Sequence, residues 1–234
     1  MQLSLLIDDR RQRLLALHRA LRSHFGHPGP WRHLDPVSQL VLGMVGGRTH
    51  EAVSRRAFEV LFTCFRSWER VRDAAEIDVY RAVHRVTYAE RKARRLQAAL
   101  RQVTHERGRL TLDFLAALSV PQALSWLERL PGVGRKTSAV TLNFSTLRMP
   151  ALVIDTHHLR VLRRLRLIGR RATTVDAYDH VMSHLPSDWE AADYDDHHQL
   201  MKQAGQSFCR HAEPNCAACP LRRLCPSAAH VGRV

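Results

Sequence analysis

Residues 127–143 read LERLPGVGRKTSAVTLN. An amphipathic segment closes at Leu130, Pro131-Gly132-Val133-Gly134 makes a tight turn, and a second helix opens near Arg135. Two glycines in so short a turn permit positive φ and a close approach of the backbone to a bulky partner. The N-terminus of the second helix leaves N–H groups without helical partners, an arrangement suited to a phosphate. Arg135, Lys136 and Thr137 open that helix, so the hairpin reads as a helix–turn–helix unit built around an anion.

The lysine within it is informative because lysine is rare here. Only Lys92, Lys136 and Lys202 interrupt the arginines among the 36 cations. Lys136 sits in a helix's first turn, where the positive end of the dipole disfavours a further cation and favours a neutral amine. A neutral amine is a nucleophile, whereas a guanidinium stays protonated and is not. Nineteen residues on, an apolar run delivers Asp155 in VIDTHHLRV to the start of another amphipathic helix. There it suits an N-cap, and the same fixed carboxylate suits catalysis.

Working outward, helical periodicity dominates and no alternating strand stands out. Val37, Leu40, Val41, Met44 and Val45 follow one buried helical face behind an Asp35-Pro36 start signal. Leu96, Ala99, Leu100 and Val103 repeat the pattern. Further helices are predicted over 7–25, 49–68, 76–86, 111–118, 120–130, 135–147, 156–168 and 173–185, with arginine-rich helical stretches over 81–101 and 160–171. Gly and Pro punctuate them at Pro28-Gly29-Pro30, Gly108, Pro121, Pro150, Gly169 and Pro186. The expected class is all-α.

Composition narrows the partner. Of 234 residues, 45% are apolar, and 36 Lys+Arg against 22 Asp+Glu leave a formal charge of +14. Such an excess favours a polyanion, because each cation placed on a phosphate releases condensed counterions. No run of about 18 apolar residues is present to cross a membrane. The N-terminal MQLSLLIDDRRQRL meets Asp8 and Asp9 too soon to be a secretory signal. A cytoplasmic, nucleoid-associated monomer is the expectation.

Cys209, Cys216, Cys219 and Cys225 are spaced C-x6-C-x2-C-x5-C. Four thiols at loop spacing in a reducing compartment read as a metal site, with zinc and an iron–sulfur cluster both open on chemistry alone. Cys64, isolated in EVLFTCFRSW, is expected in the core.

LPGVGRKTSAV followed by VIDTHHLRV resembles the helix–hairpin–helix signature and trailing aspartate element of the endonuclease III family of DNA glycosylases. The resemblance runs, more thinly, from about Asp35 to Cys225. It implies Lys136 as nucleophile, Asp155 as its catalytic partner, and a [4Fe–4S] cluster on the four cysteines. The cluster loop RHAEPN departs from the family's cation-rich pattern by including Glu213. Two loops of the family fill the gap left by a flipped nucleotide. Arg48 in VGGRTHE and Tyr88 in VTYAERKA match them, in place of the usual glutamine and of leucine or phenylalanine, and Thr87 replaces a glycine.

The implied architecture is two helical lobes around an active-site cleft. Residues 1–28 and 148–234 form the cluster domain, and 29–147 the multi-helix domain ending in the hairpin. The implied activity is base-excision repair of double-stranded DNA carrying damaged bases or abasic sites. Oxidised pyrimidines are excised through a Schiff base on Lys136, followed by β-elimination (AP lyase). Expected DNA contacts are Arg48, Tyr88, Arg91, Lys92, Gly132, Val133, Gly134, Arg135, Thr137 and His157. The alternatives are a glycosylase without lyase activity, for uracil, mismatched or alkylated bases, and a non-catalytic DNA-binding paralogue.

Overall fold

Asp35 accepts a hydrogen bond from Ser38 N, and Pro36 occupies the first helical turn, so a helix starts where the local signals place it. In the computed structural model, which describes residues 2–29 and 32–230, that helix is α2 (Pro36–Gly46). Around it in chain order lie α1 (Gln2–Phe25), α3 (Glu51–Phe65), α4 (Trp68–Asp73), α5 (Glu76–Val83), α6 (Ala89–Arg107), α7 (Val120–Glu128), α8 (Arg135–Phe144), α9 (Thr156–Arg164), α10 (Thr174–Met182) and α11 (Ala191–Ser207). Short 3₁₀ turns occupy Asp113–Ala117, Arg222–Leu224 and Pro226–His230. Among the described residues the only β pairing is an isolated bridge between Leu34 and Ser145. The chain is all-α. Pro30, part of the first punctuation signal, lies outside the described residues.

The helices fall into two units, Arg32–Ala151 and Met1–Trp31 with Leu152–Val234. In the first, α2 packs against α8, α3 and α6, and α7 packs against α8. Leu40, Val41, Leu61, Leu96, Leu100, Leu127 and Leu142 are wholly buried in it. Polar groups inside are paired: Trp68 Nε1 donates to Ser38 Oγ at 2.8 Å, and Gln97 Nε2 donates to Val71 O and Ala74 O. In the second, α11 packs against α9 and α1, over a core including Leu14, Leu17, Leu21, Val161, Leu162, Leu200 and Met201.

Several element boundaries differ from the expectation. The helix over 49–68 is two helices, because Arg66 turns left-handed (φ 65) and Ser67 caps the next by accepting from Arg70 N. The basic stretch 81–101 is likewise broken. α5 ends at Val83, and Tyr88 (φ 59) precedes α6. The segment 111–118 forms a 3₁₀ turn, and α8 and α9 stop three to four residues early. The 17-residue α11 had no counterpart in the sequence expectations.

Cys64 is a correction. It is exposed, not in the core. The buried stripe of α3 is Ser54, Ala57 and Leu61, and Cys64 near its C-terminal end lies exposed beyond them. Native protein should therefore take up one maleimide at Cys64, and Cys64→Ser should abolish that labelling in an intact-mass measurement.

Candidate active site

The hairpin is built from α7, its turn and α8. Gly132 has φ 84, a conformation L side chains rarely adopt. A Cβ there would also sit 2.8 Å from Arg95 Cδ, so α6 and the turn approach too closely for anything but glycine. Val133 is buried and its N–H donates to Leu130 O, so its side chain pegs the turn into the unit. Gly134 is the N-cap of α8 and supplies no side-chain bond to the helix's leading N–H groups.

Three residues then open α8, and they face different tasks. Arg135 Nε pairs with Glu128 Oε1, joining the end of α7 to the start of α8. Thr137 lies against Gly43 of α2, where an added Cβ would be 3.1 Å from Thr137 Cγ2. Lys136, between them, is half-buried. Lys92 of α6 lies near it: burial first, and then the Lys136 charge, pull the Lys92 ammonium down to about 8. Lys92 Nζ donates to Val45 O at 2.6 Å, Gly47 O at 2.6 Å and Thr49 Oγ1 at 2.9 Å. All three of its donors are thus directed into the protein. Arg48 and Tyr88 are exposed, both in left-handed backbone, and the Arg91 guanidinium lies 4.9 Å from the Tyr88 ring centre.

In the other unit, Asp155 is the N-cap of α9 and accepts from His158 N at 2.8 Å. Burial pushes its carboxyl up. The imidazole of His198, the His158 N–H bond and the rings of His158 and His157 outweigh that and hold it below the usual range. His158 and His198 both place Nδ1 on Val153 O, at 3.2 Å and 2.8 Å, gripping the chain two residues before the carboxylate. His157 contacts Arg160 Nη2 through Nδ1 and packs on Gly205 of α11, where a Cβ would fall 2.7 Å from His157 Cβ.

Cys209, Cys216, Cys219 and Cys225 line one cavity of about 260 Å³ in this unit, together with Val161, Leu165 and Leu221. The Cys216 and Cys219 thiols are pushed up by burial, and the other cysteines of the set push them in the same direction. Among the described residues no three His, Cys, Asp or Glu groups converge closely enough to grip a single metal ion. Four sulfur donors around a roomy apolar cavity fit a polynuclear thiolate-bound group. Two arginines of the basic 160–171 stretch serve this loop. Arg160 donates to Cys209 O and Gly205 O, while Arg164 donates to Cys209 Sγ at 3.3 Å and to Arg210 O and His211 O. Arg210, His211 and Glu213 are exposed.

No protein-family model matches the chain. It is 26% identical over 194 residues to endonuclease III of Bacillus subtilis, covering 82% of each, and 27% identical over 199 residues to that of Thermotoga maritima, covering 85% of this chain and 86% of the relative. A solved endonuclease III trapped as a covalent intermediate with DNA superposes with a TM-score of 0.78, at 22% identity and covering 94% of this chain and 97% of that one. The chain is similar to endonuclease III over most of its length, and that likeness supports a DNA N-glycosylase.

Around Asp155, the residues that sequence reading passed over are His158, His197 and His198. His158 and His197 are wholly buried, and His18 Nδ1 stands 3.2 Å from His197 Nδ1. The only signal was a pair of His-His dipeptides, at 157–158 and 197–198. Burial takes the His158 ring down to about 4 and the His197 ring well below its ordinary value, despite Asp155 pulling His158 the other way. A histidine with a lowered folded value contributes stability that is complete above about pH 6.5 and is lost as the pH falls toward 4, where the fold must accept a buried charge. The His158 difference, from 6.5 to about 4, corresponds to about 3 kcal/mol. Urea unfolding at pH 7 and pH 4.5 should show most of that loss, and His158→Gln should flatten the profile.

Proposed function

We propose that this protein is an endonuclease III family member, a bifunctional glycosylase and AP lyase acting on duplex DNA with oxidised pyrimidines. The observation that carries the reading is Asp155, a carboxylate at a helix N-terminus that its histidine neighbours hold ionised in spite of burial. A base inside a duplex is out of reach, so the nucleotide must first leave the stack. The amides of Gly132 and Gly134 would hold a phosphate beside the lesion, with the α8 dipole behind them. Thr137 and Arg135 would support that turn rather than grip DNA, given their partners within the unit.

The Lys136 amine would bond to C1′ as the C1′–N bond breaks, the bonding pair leaving with the base, which takes up a proton from water. Asp155 would stabilise the positive charge building on the sugar and accept the proton shed by the amine. Opening of the C1′–O4′ bond, with O4′ taking the proton held by Asp155, then yields a Schiff base. Loss of a C2′ proton expels the 3′ phosphate and nicks the strand. Arg48, Tyr88 and Arg91 would contact the strand around the vacated position, and His157 the backbone near Asp155.

Cys209, Cys216, Cys219 and Cys225 would hold a [4Fe–4S] cluster, which would act structurally by closing the loop after α11. Purified protein should be brown and carry about four irons.

The deciding experiment incubates the protein with duplexes bearing thymine glycol or an abasic site and adds borohydride. Covalent adduct on both supports the reading. Adduct on the abasic duplex alone leaves a lyase acting on a different base. Base release without adduct replaces it with a water-using glycosylase.

A further inference from the structure

Lys92 touches two loops at once. Its backbone N–H donates to Tyr88 O at 3.0 Å, and its ammonium reaches Val45 O, Gly47 O and Thr49 Oγ1 on the far side. Thr49 Oγ1 is itself a junction: it accepts from Thr87 N at 3.1 Å as well as from Lys92, and lies 3.4 Å from Gly47 O. The loop following α2 and the turn preceding α6 are therefore joined by Thr49 directly and by Lys92 through both its backbone and its side chain. Each loop presents one exposed residue in left-handed backbone, Arg48 at φ 55 and Tyr88 at φ 59. Such a backbone is costly for a residue other than glycine and persists only where its surroundings impose it. Tyr88 is 52% exposed, so its own burial does not hold it there.

We infer that Lys92 and Thr49 are positioning residues that lock the 46–50 loop to the 86–88 turn, so that Arg48 and Tyr88 are presented to DNA as one element. A single ammonium with three donors suits three acceptors that converge on one point from residues 45–49. The planar fork of arginine does not, which accounts for a lysine surviving here among so many arginines. Removing the ammonium would take from Val45 O, Gly47 O and Thr49 Oγ1 the one donor they share, and the loops would open separately. The role in presenting Arg48 and Tyr88 to DNA rests on the glycosylase reading above; the coupling of the loops does not.

The test has an arm for each. Amide hydrogen exchange on the free protein should show residues 46–50 and 86–88 opening at a common rate. Lys92→Met and Thr49→Val should each speed exchange in both segments by about tenfold while the hairpin at 131–136 is unchanged, and Thr49→Ser should restore the wild-type rate. Lys92→Arg should behave as Lys92→Met. Acceleration confined to one segment, or none, overturns the inference. The second arm uses a duplex with 2-aminopurine opposite a tetrahydrofuran abasic analogue, with fluorescence reporting unstacking by the loops. Lys92→Met should lower the wild-type enhancement several-fold, and should lower it no further in an Arg48→Ala/Tyr88→Ala background. Full additivity overturns the inference. Coupled exchange with no enhancement from wild type would sink the glycosylase reading and leave the coupling standing.

Discussion

Lys136→Gln is expected to abolish the borohydride-trapped adduct and to slow strand nicking on the order of 10⁶-fold, the scale for deleting a covalent nucleophile. The fold should survive: lysine and glutamine have similar helix propensity, and position 136 lies in the first turn of α8, outside the apolar core. Unfolding free energy should stay within about 0.5 kcal/mol of wild type. A second consequence separates loss of the amine from general damage. The Lys136 charge is one of the two influences that depress Lys92. Removing it should shift the Lys92 titration upward, readable by NMR of the Lys92 ammonium. An adduct that persists in Lys136→Gln would place the nucleophile elsewhere.

Asp155→Asn separates charge from capping. Asparagine caps a helix as well as aspartate, so the bond to His158 N survives and stability should change by less than about 0.5 kcal/mol. The carboxylate's charge is lost, and single-turnover base release should fall by about 10²–10⁴-fold. Asp155→Ala removes the cap as well and should cost about a further 1 kcal/mol of stability at a similar rate. Equal rates in Asp155→Asn and wild type would reduce Asp155 to a cap. The carboxylate also supports protonation of His158, so Asp155→Asn should depress that ring further and sharpen the acid lability of the unit.

Much of this was legible in local sequence, for definite reasons. Asp35-Pro36 and the Val37 to Val45 stripe announce α2 because its caps and buried face are local signals. The hairpin is legible because Gly132 answers a local demand, positive φ in a tight turn; the close approach of Arg95 came only with the packing. What failed to show was α11. Its buried face holds Asp195, Asp196, His197 and His198 beside Leu200, Met201 and Ala204, and polar residues on the inner side erase the apolar periodicity by which a helix is recognised. The break at 84–88 was hidden for the opposite reason. No glycine or proline marks it, and the chain turns there under bonds from residues some forty positions earlier.

The sequence by itself determined the all-α class, the hairpin, a lysine where arginine would have carried charge alone, an aspartate at a helix start, and four thiols at cluster spacing. Each rests on interactions among residues close along the chain. Tertiary structure alone decided which arginines serve the cysteine loop, which lysine is a buried junction, and which histidines keep Asp155 ionised. Those roles depend on partners such as Gly47, His198 and Cys209, brought in from 40 to 50 positions away by packing that no local pattern encodes.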